Sequence, residues 1–173
     1  VSVVAQSGFS FAVGVEDITG NRITIGDNKN ITVSASISGT TATIISGGQV
    51  RADDDGVATF SDLVISGSVS DTISVSFTVT YQRLSDNQTV TVTSSARAIT
   101  LTHGAAAQIT MTNSATARSG ITFTTQPVVQ ILDAYGNLVS TGGQSTQTVT
   151  LTSTGSTISG TAAISASAGI ATF

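Results

Sequence analysis

Cysteine and tryptophan are absent from this sequence, and proline, methionine and histidine occur once each. Without cysteine there is no disulfide, thiolate nucleophile, iron–sulfur cluster or Cys-ligated zinc. Charge is scarce too, at 9% of residues, against about 25% in an ordinary globular chain. Six Lys plus Arg and a net charge of −4 leave no basic face for a nucleic-acid backbone. No apolar run approaches the roughly 20 residues of a membrane-spanning helix. Nothing at Val1 resembles a charged, apolar leader, and Gly169–Phe173 stops in what reads as mid-strand. The sequence therefore reads as a window on a longer polypeptide, and the missing leader says nothing about location.

Apolar β-branched residues and hydroxyls make up much of the remainder. Mean hydropathy is +0.31, which separates the chain from charged, apolar-poor disordered sequences. A length of 173 residues allows one domain or two small ones. Period-two alternation dominates. In Ile31 to Ser38 the odd positions are apolar and the even ones are hydroxyls, and Thr72 to Tyr81 puts Ile73, Val75, Phe77, Val79 and Tyr81 on one face. Thr89 to Thr93 and Gln147 to Thr152 do the same. Successive side chains of a strand point to opposite faces, so each segment predicts one buried and one wet face. No segment carries apolar spacing of helical period. Asp17 with Gly20-Asn21, Asp133 with Gly136-Asn137, and Asp55-Gly56 supply turn chemistry between the runs. The expected class is all-β, built of antiparallel sandwiches.

Landmarks recur in order. Gly56-Val57-Ala58-Thr59-Phe60 returns 113 positions later as Gly169-Ile170-Ala171-Thr172-Phe173, and Val15-Glu16-Asp17 with Gly20-Asn21 returns 116 positions later as Ile131-Leu132-Asp133 with Gly136-Asn137. Ser7-Gly8 reappears as Ser119-Gly120. A period near 110 residues suits one β-sandwich rather than a solenoid coil of about 20–50 residues. The expected organisation is a repeat over 1–103 that lacks its first strand, then the start of a second over 104–173. The second opens with a strand at Ala107 to Thr112 and has no equivalent of residues 61–102. Its completion is expected from polypeptide outside this sequence or from a strand donated by another chain.

Ala117-Arg118-Ser119-Gly120, Phe123 to Asp133 with Gly136-Asn137, the Ser159-Gly160-Thr161 turn and Gly169 to Phe173 together resemble the bacterial immunoglobulin-like repeats of large secreted surface proteins. Such repeats build invasin- and intimin-type stalks and adhesin arrays. The resemblance covers most of 104–173 and is weaker over 1–103, where Phe9 to Val15 replaces the Thr-Thr-Gln-Pro segment and an Asp-rich hairpin is inserted. It implies tandem immunoglobulin-like sandwiches, the second incomplete in this chain, an extracellular location on a bacterial cell surface, and a stalk or adhesive role. It supplies no catalytic residues.

Candidate chemistry is thin. Asp53, Asp54 and Asp55 form the densest charge, and an oxygen-rich cluster suits Ca²⁺. The spacing is not that of an EF-hand loop, however, and Ser165-Ala166-Ser167-Ala168 stands at the matching place in the second repeat. The leading reading of this triplet is a hairpin turn, with calcium as the alternative. Asp17 and Asp27 join such a site only if their loops converge. His103 has neither a second His nor a Cys to share a metal, and it reads as a linker residue. A Ser nucleophile would need a base and an orienting third group, and none is assembled. Lys29, as one half of a Lys–Asn or Lys–Asp crosslink, would have to be buried, whereas Gly26 to Asn30 is polar.

The expected function is mechanical and positional: a stalk or spacer, or a subunit of a surface layer or filament, adhesion-related and without enzymatic activity. The expected partners are neighbouring repeats of the same polypeptide or identical chains. The alternative is a module that binds a glycan or host receptor. The scarcity of aromatics, with no Trp, weighs against sugar recognition. The expected core of the first repeat is Phe9, Phe11, Val13, Ile31, Val33, Phe60, Ile73, Val75, Phe77, Val79, Val90 and Val92. A change of alternation phase between Val92 and Ile99 predicts a bulge or the handover between repeats.

Overall fold

In the computed structural model, residues 2–24, 31–39, 42–82, 86–113, 116 and 118–173 are described. Strands follow the alternating runs, and the only helical element among these residues is a short 3₁₀ turn at Gly143–Thr146. The fold is all-β. The chain divides into two compact units, Val1–Thr102 and His103–Phe173.

The described residues of unit 1 form a sandwich of nine strands: β1 (Ser2–Val4), β2 (Gly8–Gly14), β3 (Thr32–Ser38), β4 (Thr43–Ser46), β5 (Gln49–Arg51), β6 (Val57–Ser66), β7 (Thr72–Gln82), β8 (Thr89–Thr93) and β9 (Arg97–Thr102). One sheet runs β1-β9-β7-β3-β5, with β8 also paired to β7, and the other runs β2-β6-β4. Every pairing is antiparallel except β1 with β9. This distribution, with hairpin partners shared between two facing sheets, is that of an immunoglobulin-type sandwich. The chain crosses from one sheet to the other between β4 and β5, at Gly47-Gly48.

The inward faces meet in two apolar clusters. Ile65, Ile73, Val75, Ile99 and Leu101 centre one, and Val33, Ala58, Phe60 and Leu63 centre the other. Phe77 of one sheet bridges them, with its ring centroid 5.7 Å from Phe11 and 5.2 Å from Phe60 of the other. Aromatic pairs in this range add roughly 0.5–1.5 kcal/mol beyond the area they bury. The opposite face of β7 carries hydroxyls that pair across strands, Ser36 with Ser76 at 2.9 Å and Thr78 with Thr93 at 3.0 Å.

The phase change near Val92 is a bulge. Thr78 pairs with Thr93 but Val75 with Arg97, so two residues of β7 face three of the β8–β9 segment. Ser94 fills the gap, donating its N–H to the Phe77 carbonyl (2.8 Å) and accepting the Phe77 N–H on Oγ (3.0 Å).

Unit 2 has β10 (Ala106–Met111), β11 (Val128–Asp133), β12 (Thr148–Thr150), β13 (Ala163–Ser165) and β14 (Ile170–Thr172). They form a three-stranded sheet, β10-β11-β14, and a two-stranded one, β12-β13. Val129, Ile131, Val139, Val149, Ala166 and Ala171 are buried between them.

The offsets seen in the sequence, with a one-residue adjustment in the hairpin between β5 and β6, carry one unit's register onto the other. Gly14↔Val57, Val13↔Ala58 and Ala12↔Thr59 in β2–β6 become Gln130↔Ile170, Val129↔Ala171 and Val128↔Thr172 in β11–β14. Thr32↔Arg51, Val33↔Val50 and Ser34↔Gln49 in β3–β5 become Thr148↔Ser165, Val149↔Ile164 and Thr150↔Ala163 in β12–β13. Loop bonds repeat as well: Val15 N–H to the Gly56 carbonyl matches Ile131 N–H to that of Gly169. Gly56 and Gly169 are held to glycine for one reason in both places. Each has positive φ (+68° and +80°), and a Cβ there would collide with a backbone carbonyl, of Ile23 and Val139 respectively.

Two differences separate the units. In unit 2 the outer edge of β11 carries β10, whereas among the described residues no strand lies on the matching edge of β2. In unit 1 β3 pairs with both β5 and β7, whereas among the described residues β12 pairs only with β13.

Candidate functional site

The acidic residues singled out by the sequence build turns. Asp17 Oδ1 accepts the N–H groups of Thr19 (2.8 Å) and Asn21 (2.9 Å) and the Thr19 hydroxyl (2.7 Å). The Thr19 hydroxyl, followed by the Asn21 N–H, holds this exposed carboxyl down to about 2. Asp133 repeats the arrangement, accepting from Tyr135 N and Asn137 N on Oδ1, both at 2.9 Å. Its Oδ2 accepts Gly104 N at 2.7 Å and Asn137 Nδ2 at 2.9 Å. Asp133 is buried, which by itself would raise its pKa. The bonds from Gly104, Asn137 and Tyr135 outweigh burial and set it below the usual carboxylate range. This carboxylate fastens Gly104, at the start of unit 2, to the turn at Tyr135–Asn137.

Asp53 is a third turn-former. Its Oδ1 accepts the N–H groups of Asp55 (3.0 Å) and Val57 (2.8 Å). Asp53, Asp54 and Asp55 all lie exposed. Among the described residues no group of three or more His, Asp or Glu side chains is placed to hold a metal ion. Asp27, Lys29 and Asn30 lie outside the described residues. His103 is more constrained than a linker residue needs to be. Its Nδ1 lies 2.8 Å from the Gly104 carbonyl, which can only accept, so Nδ1 carries the proton. Nε2 then accepts from the Thr141 hydroxyl (2.9 Å) and N–H (3.3 Å).

One concave feature of unit 1 is mainly apolar. A cleft of about 680 Å³ in unit 1 opens beside the free edge of β2. Val13 and Val15 form one wall, Ile31, Val33, Phe77 and Val79 the floor, and Tyr81 and Val92 the far rim. Val92 pairs with Val79 and so faces inward, yet half of it is exposed (51%). The reason is topological: β8 extends its sheet past β2, and no described strand lies opposite it. Val90 is half-buried for the same reason. These two residues correct the expected core, whereas Val33, Phe60, Ile73 and Val75 are buried and Phe9, Phe11, Val13, Ile31, Phe77 and Val79 pack against them. Unit 2 has a shallower hollow of about 390 Å³ along β10 and β12, lined among others by Ile109, Ile131 and Val149. Ile109 stands exposed there (64%), and Met111 at the end of β10 is exposed too (56%).

Sequence reading missed Leu63, Ile65, Ile99 and Leu101, all buried. In β6 the signal is broken. Phe11 pairs with Phe60 but Phe9 with Leu63, so Ser61 and Asp62 form a bulge that moves the apolar positions from even to odd.

Among the described residues no helix is long and apolar enough to cross a membrane. No protein-family model, curated protein or solved structure matches the chain.

Proposed function

We propose that this chain is a structural module of a bacterial extracellular surface protein, acting as a stalk or spacer or as a subunit of a surface layer or filament. The observation that supports this reading is the register-for-register repetition of β2–β6 and β3–β5 as β11–β14 and β12–β13. Repetition of one scaffold in tandem suits a part whose task is to occupy length. A neutral, hydroxyl-rich exterior keeps such a part soluble while offering few charged contacts. The carboxylates named above are engaged in turns, which gives them structural rather than chemical work. Adhesion, in this reading, resides in the array or its tip. Partners are neighbouring repeats of the same polypeptide or identical chains. The exposed Ile109 and Met111 and the hollow beside β12 favour completion of unit 2 by strands from outside it.

A second reading is favoured by the unit 1 cleft, whose size falls in the ~300–1,000 Å³ range of ligand sites. It makes the chain a binding module for a glycan or host receptor. Negative-stain micrographs of the purified chain separate the two. Rods, sheets or filaments are expected. Selective glycan binding that depends on Tyr81 of the cleft, or hydrolysis lost on changing a single Asp, would overturn the structural reading.

A further inference from the structure

The repeat gives unit 2 an occupied strand site whose counterpart in unit 1 carries no described strand. β10 lies antiparallel on β11, with Ile109 opposite Ile131, Thr110 opposite Gln130 and Met111 opposite Val129. The Thr112 N–H continues the ladder to the Val128 carbonyl at 2.9 Å. Shifted by the 116-residue offset, these partners are Val15, Gly14, Val13 and Ala12 of unit 1. Val15 sends its N–H toward β6, to the Gly56 carbonyl. Alternate residues of a strand face opposite edges, so Ala12 and Gly14 direct their backbone groups to the edge that carries no described strand. An unpaired edge of this kind is a ready template for another strand. Below that edge lies the 680 Å³ cleft.

We propose that this cleft and the free edge of β2 are the seat of an extended, uncharged strand of the β10 type, supplied in cis by the polypeptide ahead of β1. Its alternate apolar side chains, in the places of Ile109 and Met111, descend against Val15 and Val13 and cover Val92. The intervening residues bond Gly14 and Ala12. The cis source follows from the order in unit 2, where β10 ends eight residues before the Ser119-Gly120 landmark. The equivalent distance before Ser7-Gly8 reaches two residues ahead of Val1. The strand's lack of charge suits walls that are mainly aliphatic and aromatic, with Glu16 and Asp17 also in the lining. This inference rests on the reading of the chain as one stretch of a repeat array. The micrographs described above test that reading without reference to the cleft.

The test grafts the segment Ala105–Asn113 directly ahead of Ser2 and follows amide exchange at Ala12 and Gly14 in the full chain. Exchange at both is expected to slow by about tenfold or more relative to the ungrafted chain. Val92→Asp, at an exposed position of the ungrafted chain, is expected to abolish the slowing. A graft with Asp in place of its two apolar residues serves as the control. Slowing that is equal in the control graft overturns the proposal, as does none at all. Slowing that appears in the ungrafted chain with rising concentration, together with dimers in sedimentation, assigns the edge to a second copy and overturns the cis assignment. A free peptide of the Ala105–Asn113 sequence that slows the same amides in trans supports the seat and its register.

Discussion

Gly20 and Gly56 separate two penalties that are usually confounded. Both have positive φ, +87° and +68°. A Cβ at Gly20 meets nothing within 4 Å, whereas at Gly56 it collides with the Ile23 carbonyl and comes within 3.1 Å of Arg22 Cγ and Cδ. Gly20→Ala therefore carries only the cost of a left-handed conformation, about 1–2 kcal/mol. Gly56→Ala adds overpacking against backbone, another 1–3 kcal/mol or so. The Ile23 segment cannot easily retreat, because its N–H is bonded to the Val15 carbonyl at 2.9 Å and its side chain packs on the core. The total for Gly56→Ala is about 3 kcal/mol. With an m-value near 2 kcal/mol/M, that moves the urea midpoint of unit 1 down by about 1.5 M, and Gly20→Ala moves it by roughly half as much. Far-UV circular dichroism follows the transition, with Tyr81 emission reporting unit 1 in a chain carrying Tyr135→Phe. Gly136 and Gly169 repeat the contrast in unit 2, at φ +86° with open space and at +80° against Val139. Equal losses for Gly20→Ala and Gly56→Ala would show that the carbonyl contact does not govern the position. The reasoning would also fail if unit 2 reversed the order.

Three further outcomes are expected. Asp133 has a lowered pKa in the folded chain, so its contribution is complete above the unfolded carboxyl value of about 4 and is lost as pH falls through the folded value. Unit 2 should hold its stability from neutral pH down to about 5 and lose it below 4. Asp133→Asn should destabilise it by about 2 kcal/mol at neutral pH and flatten the acid limb, as read by urea titrations across pH. Thr141→Val removes the hydroxyl partner of His103 and should cost about 1 kcal/mol while speeding exchange of the Gly104 amide; no change at Gly104 would uncouple the two. Val92→Ser should cost under about 0.5 kcal/mol, and Leu63→Ala about 3, in equilibrium unfolding, although alternation alone ranks Val92 as core.

What could be read from residues alone was whatever depends on near neighbours. An Asp that accepts the N–H groups two and four residues ahead is local chemistry, so the turns at Asp17, Asp53 and Asp133 were visible in advance. Strict alternation likewise marked β3 and β7. The limits have equally physical causes. At Ser61-Asp62 a bulge shifts the phase of β6, and a period-two reading loses Leu63 and Ile65 beyond it. Val92 has the sequence context of a buried residue, because alternation reports which face a side chain points to. Whether another layer covers that face is decided by distant strands. His103 meets Thr141 across 38 positions, which no spacing rule anticipates. The cleft was invisible for the same reason, since it exists only where β8 outruns β2.

The parallel pairing of β1 with β9 in unit 1 has a mechanical meaning. β1 begins the unit and β9 ends it, and they lie side by side with Ser2 opposite Thr100 and Val4 opposite Thr102. Tension applied at the two ends pulls these strands along each other in opposite directions, so their bonds are loaded together in shear rather than peeled singly. The Ala5 N–H on the Thr102 carbonyl (2.9 Å) and the Thr102 hydroxyl on the Val3 carbonyl (3.1 Å) share the load. Stretched in optical tweezers, unit 1 should yield in one abrupt event, and Thr102→Val should lower the force at which it does. A gradual extension would place the resistance elsewhere. A pairing that contributes only three residue pairs at equilibrium thereby becomes the clamp through which the whole sandwich resists extension.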